Sequence, residues 1–236
     1  IYFIWLTILI AIYISFYNER LLSTILPNVK ENLFIIIMIF CVIVALKKSF
    51  VAIVRMNEIV LPLFVIVFLG CVLFSLPDID VKKFLPVSRL DVIPVAKASL
   101  GITGIWCYVP LVFLFCNAIN NKQQIRQHAF SALSTVFILT VLLIVMCIGV
   151  LGPHIIESMP IPFFVAVRQI DLFNTIERIE AVVVSIWIFS DFMLIASFVL
   201  IALNTVGSIF KLDDTKAFIG VYCVFLFFLS LYLERN

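Results

Sequence analysis

Charge is what this chain has least of. Only 13% of its 236 residues are Asp, Glu, Lys or Arg, and 64% are hydrophobic. A soluble domain carries about a quarter charged residues and about half apolar ones. The formal net charge is only +2, which points to no polyanionic partner and no nucleic acid. Histidine is nearly absent, with His128 and His154 far apart, and no pair of cysteines has CxxC spacing, so no metal site is expected. GxSxG, P-loop and HExxH patterns are missing, and with them any visible catalytic pair, so the chain reads as no enzyme and as needing no cofactor. Alternating ten-residue strands are lacking, which excludes an outer-membrane barrel. There is no initiator Met: Ile1 already lies inside an apolar run, so the chain reads as a fragment and signal-peptide logic does not apply to its start.

What is present is apolar sequence in separate runs, with a mean hydropathy of +1.26. Each run is helical in length, which makes this an all-α polytopic membrane protein with a single transmembrane helical domain over residues 1–236. Seven spans are expected. Segment one covers Ile1 to about Tyr17 and is followed by Asn18, Glu19 and Arg20. Segments two and three cover about Leu33–Leu46 and Asn57–Leu76, and Lys47 and Lys48 snorkel at the end of segment two. After the Pro-limited connection from Pro77 to Lys97, segments four and five cover about Ala98–Ile119 and His128–Leu151. Segment five stops at Gly152 and Pro153. Segment six covers about Ala181–Phe210, and segment seven about Ala217–Leu233. The loops after segments two, four and six carry seven Lys and Arg, against nine on the opposite side. The seven lie in shorter loops, which weigh more, so that set is placed in the cytoplasm.

Segment six organises the chain. At about 30 residues it measures about 45 Å, longer than a hydrocarbon core of about 30 Å, so it must tilt or extend beyond the membrane. One ionisable group, Asp191, interrupts it near the expected mid-bilayer, where a charge costs about 2.5–3.5 kcal/mol. Such a residue either binds a cation, proton or ligand amine, or is a structural carboxyl bonded to a neighbouring helix. Its carboxyl is expected to face the bundle, towards segment four or segment one. Ser190, Ser197, Asn204 and Ser208 recur at spacings of seven, seven and four, a polar stripe expected to face other helices or a wet cavity.

Glycine is scarce, with seven in all, yet Gly101 and Gly104 fall within one turn of segment four. Two glycines so placed suggest unwound backbone somewhere within Gly101–Trp106, with free groups for a ligand. Close helix packing through small residues is the other reading. Glu177, Arg178 and Glu180 stand where segment six enters the membrane, as an interfacial ion-pair cluster or a gate. The six cysteines each lie in an apolar run and read as small buried hydrophobes.

A resemblance then becomes usable. Leu26 and Pro27, Arg55 with Glu58 and Ile59, Leu76 to Asp80 followed by Leu85 to Val87, and Val150 to Pro153 occur in an order similar to the endospore germination permease family. Most specific is Ile176-Glu177-Arg178-Ile179-Glu180-Ala181 followed by Ile186-Trp187-Ile188. The chain resembles the B subunit of nutrient germinant receptors, within the amino acid–polyamine–organocation transporter superfamily. That resemblance implies a fragment of a ten-helix, inverted-repeat (5+5) transporter fold, holding helices three to nine. It implies a receptor subunit in the spore inner membrane that binds a small germinant such as an amino acid and works with A and C subunits. The alternative is a proton- or cation-coupled amino-acid permease. The ligand-binding residues are then Gly101, Thr103, Gly104, Trp106 and Tyr108 in segment four, which the resemblance makes the broken helix lining the site, and Asp191, read from its own place in segment six. Two family charges are missing: a glutamate near Tyr108 and a lysine near Leu194.

Overall fold

In a membrane every backbone amide must be bonded internally, and long apolar runs meet that demand as helices. The computed structural model describes residues 2–24, 32–48, 50–85, 92–106, 124–170, 179–212 and 215–235. Among these there is no strand. The helices are α1 (Tyr2–Thr24), α2 (Asn32–Lys48), α3 (Phe50–Ser75), α4 (Val92–Trp106), α5 (Ile125–Leu151), α6 (Pro153–Ser158), α7 (Pro162–Arg168), α8 (Ile179–Phe210) and α9 (Ile219–Arg235). Five of the described helices are long and apolar enough to cross a membrane: α1, α3, α5, α8 and α9. The other two expected spans are the apolar helices α2, of 17 residues, and α4, of 15 residues where its description ends. The expectation for segment six holds, since α8 is unbroken over 32 residues and is the longest described helix.

Two helix ends extend well past the limits that hydropathy sets. α1 continues past Tyr17 to Thr24, and α3 begins at Phe50, seven residues before the expected Asn57. Hydropathy marks the part of a helix that lipid covers, whereas the hydrogen-bonded ladder continues into the interface. The correction matters at α1, because it places Asn18, Glu19 and Arg20 on the helix and not in a loop.

The chain divides into two compact units. Unit 1 comprises residues 1–65 and 184–236. Its core is aliphatic, with Leu6, Ile10, Ile14, Ile35, Val42, Ile195, Val199 and Leu226 almost fully covered. Burying one such side chain is worth about 1.5–3 kcal/mol against water, but lipid is as apolar as leucine, so register has to come from elsewhere. Polar contacts supply it. Thr7 Oγ1 lies 3.0 Å from the Tyr222 hydroxyl, Ser15 Oγ donates to the Ser230 carbonyl at 3.0 Å, and Asn18 Nδ2 donates to Glu234 Oε1 at 2.6 Å. Numbers rise together on both helices, so α1 and α9 run parallel. Along α1 the partners are eight and then three residues apart, which returns them to one face.

The turn from α8 into α9 is a Schellman cap. Lys211 adopts a left-handed φ of 51°, and the Leu212 amide donates to the Gly207 carbonyl at 2.9 Å. Gly207 is required there, since a Cβ would lie 2.7 Å from Thr215 Cγ2.

Unit 2 comprises residues 66–183. Its core gathers Phe68, Val72, Met146, Val150, Phe164 and Val167. The segment after α3 folds into two 3₁₀ turns, Leu76–Asp78 and Val81–Phe84, which cover the C-terminal end of α5. The Asp80 amide donates to the Gly149 carbonyl at 3.1 Å, and Lys83 Nζ donates to the Val150 carbonyl. A helix leaves its last carbonyls unpaired, and a lysine there meets both the orphan acceptors and the negative end of the dipole. Gly149 lets the turn approach, because a Cβ would meet Ile79 Cγ2 at 2.7 Å and Ile79 Cβ at 3.3 Å. Gly149→Ala is therefore expected to cost about 1–3 kcal/mol. Thermal melts in detergent check this, and in an Ile79→Ala background the same substitution is expected to lose most of its effect.

Candidate functional site: an ion pair between two membrane helices

The extension of α1 brings Arg20 opposite Asp191. Arg20 Nη2 donates to Asp191 Oδ2 at 2.7 Å, with 24% and 13% of the two side chains exposed. Arg20 Nε also donates to the Phe16 carbonyl at 3.2 Å. The guanidinium lies over the Trp187 ring, 5.0 Å from its centroid. Trp187 precedes Asp191 by four residues, one helical turn, so both project from the same side of α8. Arginine suits such a place, because its planar, weakly hydrated cation stacks on an aromatic face while its edge bonds a carboxylate. A second contact, Tyr13 against Phe198 with ring centroids 6.0 Å apart, lies seven residues away on each helix in opposite senses. α1 and α8 therefore run antiparallel. They meet through these long side chains, whereas α1 packs more closely on α9 and α2.

The expectation that Asp191 faces segment one is met. Along α8, Asp191 lies 19 residues before the terminal Phe210, about 28 Å at 1.5 Å per residue. Asn18 and Glu234 lie within about one turn of the same level, through their bond to each other beside Arg20.

Asp191 pairs through one oxygen alone. No described residue donates to its Oδ1. Asn18 is fully covered, and its Oδ1 likewise has no partner among the described residues.

The other expected site residues fall as follows. The unwound stretch is overturned. The backbone is α-helical from Val92 to Trp106, so the amides at Gly101–Trp106 are not freed by a break. Each glycine in a helix costs about 1 kcal/mol against alanine, too little to break the ladder. Gly101 is on the surface of unit 2 with nothing within 4 Å of a Cβ built on it, so close packing does not explain it there. The side chains of Thr103 and Trp106, and Tyr108, Glu177 and Arg178 altogether, lie outside the described residues. Glu180 is paired with Arg168 of α7, half-exposed, and Arg168 stacks on Phe164 with its guanidinium carbon 4.6 Å from the ring centroid. An exposed pair of this kind contributes at most about 1 kcal/mol.

The polar stripe on α8 is not an interhelical seam among the described residues. Ser190 and Ser208 donate to the carbonyls of Ile186 and Asn204 on their own helix, and Asn204 is exposed. A hydroxyl bonded to the carbonyl four residues back is satisfied without a neighbour. The seam that does exist, Thr7, Ser15 and Asn18 against α9, was legible as three polar residues on one face of segment one. Four described cysteines, 41, 71, 147 and 223, are free thiols. Among the described residues no three His, Cys, Asp or Glu side chains gather as a metal site.

Comparison with known proteins places the chain. The family model described as "Spore germination protein" matches residues 1–236. The chain belongs to the spore germination protein family. No curated protein and no solved structure matches it. Membership accords with the apolar helices, and the chain is an integral membrane protein of a germination-related family.

If Arg20 and Asp191 are coupled, removing either takes a charge-assisted bond from the other. Asp191→Asn and Arg20→Met are each expected to cost about 1–3 kcal/mol, less than the roughly 3–5 kcal/mol of a fully buried pair because both groups keep some exposure. The double variant is expected to be more stable than the sum of the singles by about 0.5–3 kcal/mol. Additive losses in detergent melts would show that the two residues act separately.

Proposed function

We propose that this protein is the membrane subunit of a nutrient germinant receptor. It binds a small germinant such as an amino acid and passes a change in helix packing to partner subunits, without net transport. The observation that carries this is the family match along all 236 residues of a chain built from membrane helices. The partners in this reading are the receptor's A and C subunits, and the location is the spore inner membrane. Asp191 serves as the group for a ligand ammonium. Gly101, Thr103, Gly104, Trp106 and Tyr108 are a separate set of ligand contacts in this reading. Glu177, Arg178 and Glu180 anchor the entry of α8 at the interface, a role supported by the bond between Glu180 and Arg168.

Two measurements test the reading. Spores lacking the full-length protein are expected to lose their response to at least one amino acid and to regain it on complementation. Proteoliposomes holding the protein are expected to accumulate no labelled amino acid above empty vesicles. Accumulation driven by a proton or cation gradient would make it a permease instead.

A further inference from the structure

The seam between α1 and α9 ends on an atom that nothing among the described residues satisfies. Asn18 Nδ2 donates to Glu234 Oε1 at 2.6 Å, while Asn18 Oδ1 is buried and has no hydrogen-bond partner. An amide oxygen in a protein interior is nearly always paired, so the missing donor needs a source. Asn18 is 0% exposed and no water-sized space borders its Oδ1, so an ordered water does not supply it. The backbone amides at this level are spent in the ladders of α1 and α9. Inverting the Asn18 amide does not help. It would strand two N–H donors in place of one acceptor, and it would set Oδ1 against Oε1 with no hydrogen between them. In either orientation the group in contact that can supply the hydrogen is the Glu234 carboxyl, which becomes a donor when it is protonated. Glu234 is half-buried, so a proton can reach it from the medium, and no described ion pair includes it. On α1, Arg20 bonds Asp191, Glu19 is exposed, and Tyr17 lies towards Asp191 and Cys41. On α2, which also packs on α9, Cys41, Lys47 and Lys48 make no bond to Glu234.

We propose that Glu234 is a proton-binding site, in which the acid form of its carboxyl closes a two-bond ring with the Asn18 amide. Asn18 Nδ2 donates to one carboxyl oxygen, and the carboxyl O–H donates to Asn18 Oδ1. The planar amide and the planar carboxyl are already joined at one edge, and rotation of the carboxyl about its bond to the side chain presents the second oxygen to Oδ1. One proton thereby pairs the stranded acceptor and removes a charge that no described cation pairs. The ligand is H⁺ from the medium, and the O–H bond is the only covalent bond that forms. Without the proton the carboxylate is acceptor-only, the ring opens to a single bond, and Oδ1 is stranded at the C-terminal end of the seam. The other two seam contacts, Thr7 with Tyr222 and Ser15 with the Ser230 carbonyl, join uncharged groups, so the proton acts on the Asn18 contact. Proton occupancy is thus tied to how firmly α9 is held against the end of α1. The inference stands apart from the sensing reading and needs no germinant.

The test is infrared spectroscopy of the purified full-length protein at neutral pH, read as wild type minus Glu234→Gln in H₂O and in D₂O. The difference is expected to show the carbonyl stretch of a protonated carboxylic acid, displaced in D₂O. Asn18→Leu is expected to lose the same band, because without the amide the carboxyl turns to the medium and gives up its proton. Glutamine fits the ring, with an amide N–H in place of the acid O–H. Glu234→Gln is therefore expected to melt within about 2 °C of the wild type. Glu234→Ala leaves the whole Asn18 amide unpaired and is expected to melt about 2–12 °C lower. An absent band would overturn the site. So would a Glu234→Gln variant that melts about 2–12 °C above the wild type, the gain expected if a wild-type carboxylate strands Oδ1 and glutamine relieves it. A band that survives in Asn18→Leu would show a proton that the amide does not hold, and would overturn the ring. The comparison of wild type with Glu234→Gln stands even where Asn18→Leu does not fold. None of these outcomes bears on the germination response, so the sensing reading stands or falls separately, on deletion and complementation.

Discussion

A guanidinium inside an apolar bundle cannot be left alone, and the arrangement of unit 1 follows from that constraint. Lipid gives helices no reason to associate in any given register, since sliding one leucine face along another changes little. Arg20 and Asp191 fix α8 against α1, and Tyr13 against Phe198 fixes the direction. Thr7, Ser15 and Asn18 then fix α9 against the other side of α1. Three helices that share one aliphatic core are thus placed by a handful of polar contacts. The surface is the inverse of a soluble protein's. Large apolar side chains such as Ile59, Phe130 and Val221 point outward, each more than 70% exposed, as lipid contact requires.

How far this was legible can be read residue by residue. The number and order of apolar runs, the length of α8, and the inward direction of Asp191 all follow from the transfer cost of polar groups into hydrocarbon. Arg20 was not found as its partner because the apolar run of segment one ends at Tyr17, and a charge beyond the run reads as loop. Helix continuation is set by hydrogen bonding, which hydropathy does not measure. At Gly101 and Gly104 the error went the other way. Two glycines lower helix propensity, but from Val92 to Trp106 the intrahelical bonds prevail. The α9 seam shows what pattern was available: polar residues at 7, 15 and 18 share a face, and so do those at 222, 230 and 234.

The polar groups of the helices also separate by how they are satisfied. Thr7, Ser15, Ser190, Thr205 and Ser208 each donate to the carbonyl four residues back, which makes a hydroxyl tolerable on any face of a membrane helix. An amide or a carboxylate has no such local solution, so Asn18 and Asp191 look across to other helices, and Arg20, which bonds the Phe16 carbonyl through Nε, still reaches across with its Nη2. This difference explains why a stripe of serines on α8 carries no seam, while Asn18 and Arg20 on α1 carry two.

Helix direction constrains the topology further. α1 and α9 are parallel, so the number of membrane crossings from the first to the last, counting both, is odd. α8 is antiparallel to α1 and joins α9 through a tight cap, which agrees with its being the crossing before the last. The five long helices alone satisfy this parity. α2 ends in Lys47 and Lys48, whose stems extend a 17-residue helix of about 25 Å to the headgroups. If α2 crosses as well, the parallel seam of Thr7, Ser15 and Asn18 against α9 asks for one further crossing elsewhere in the chain, because adding α2 alone would reverse α9 against α1.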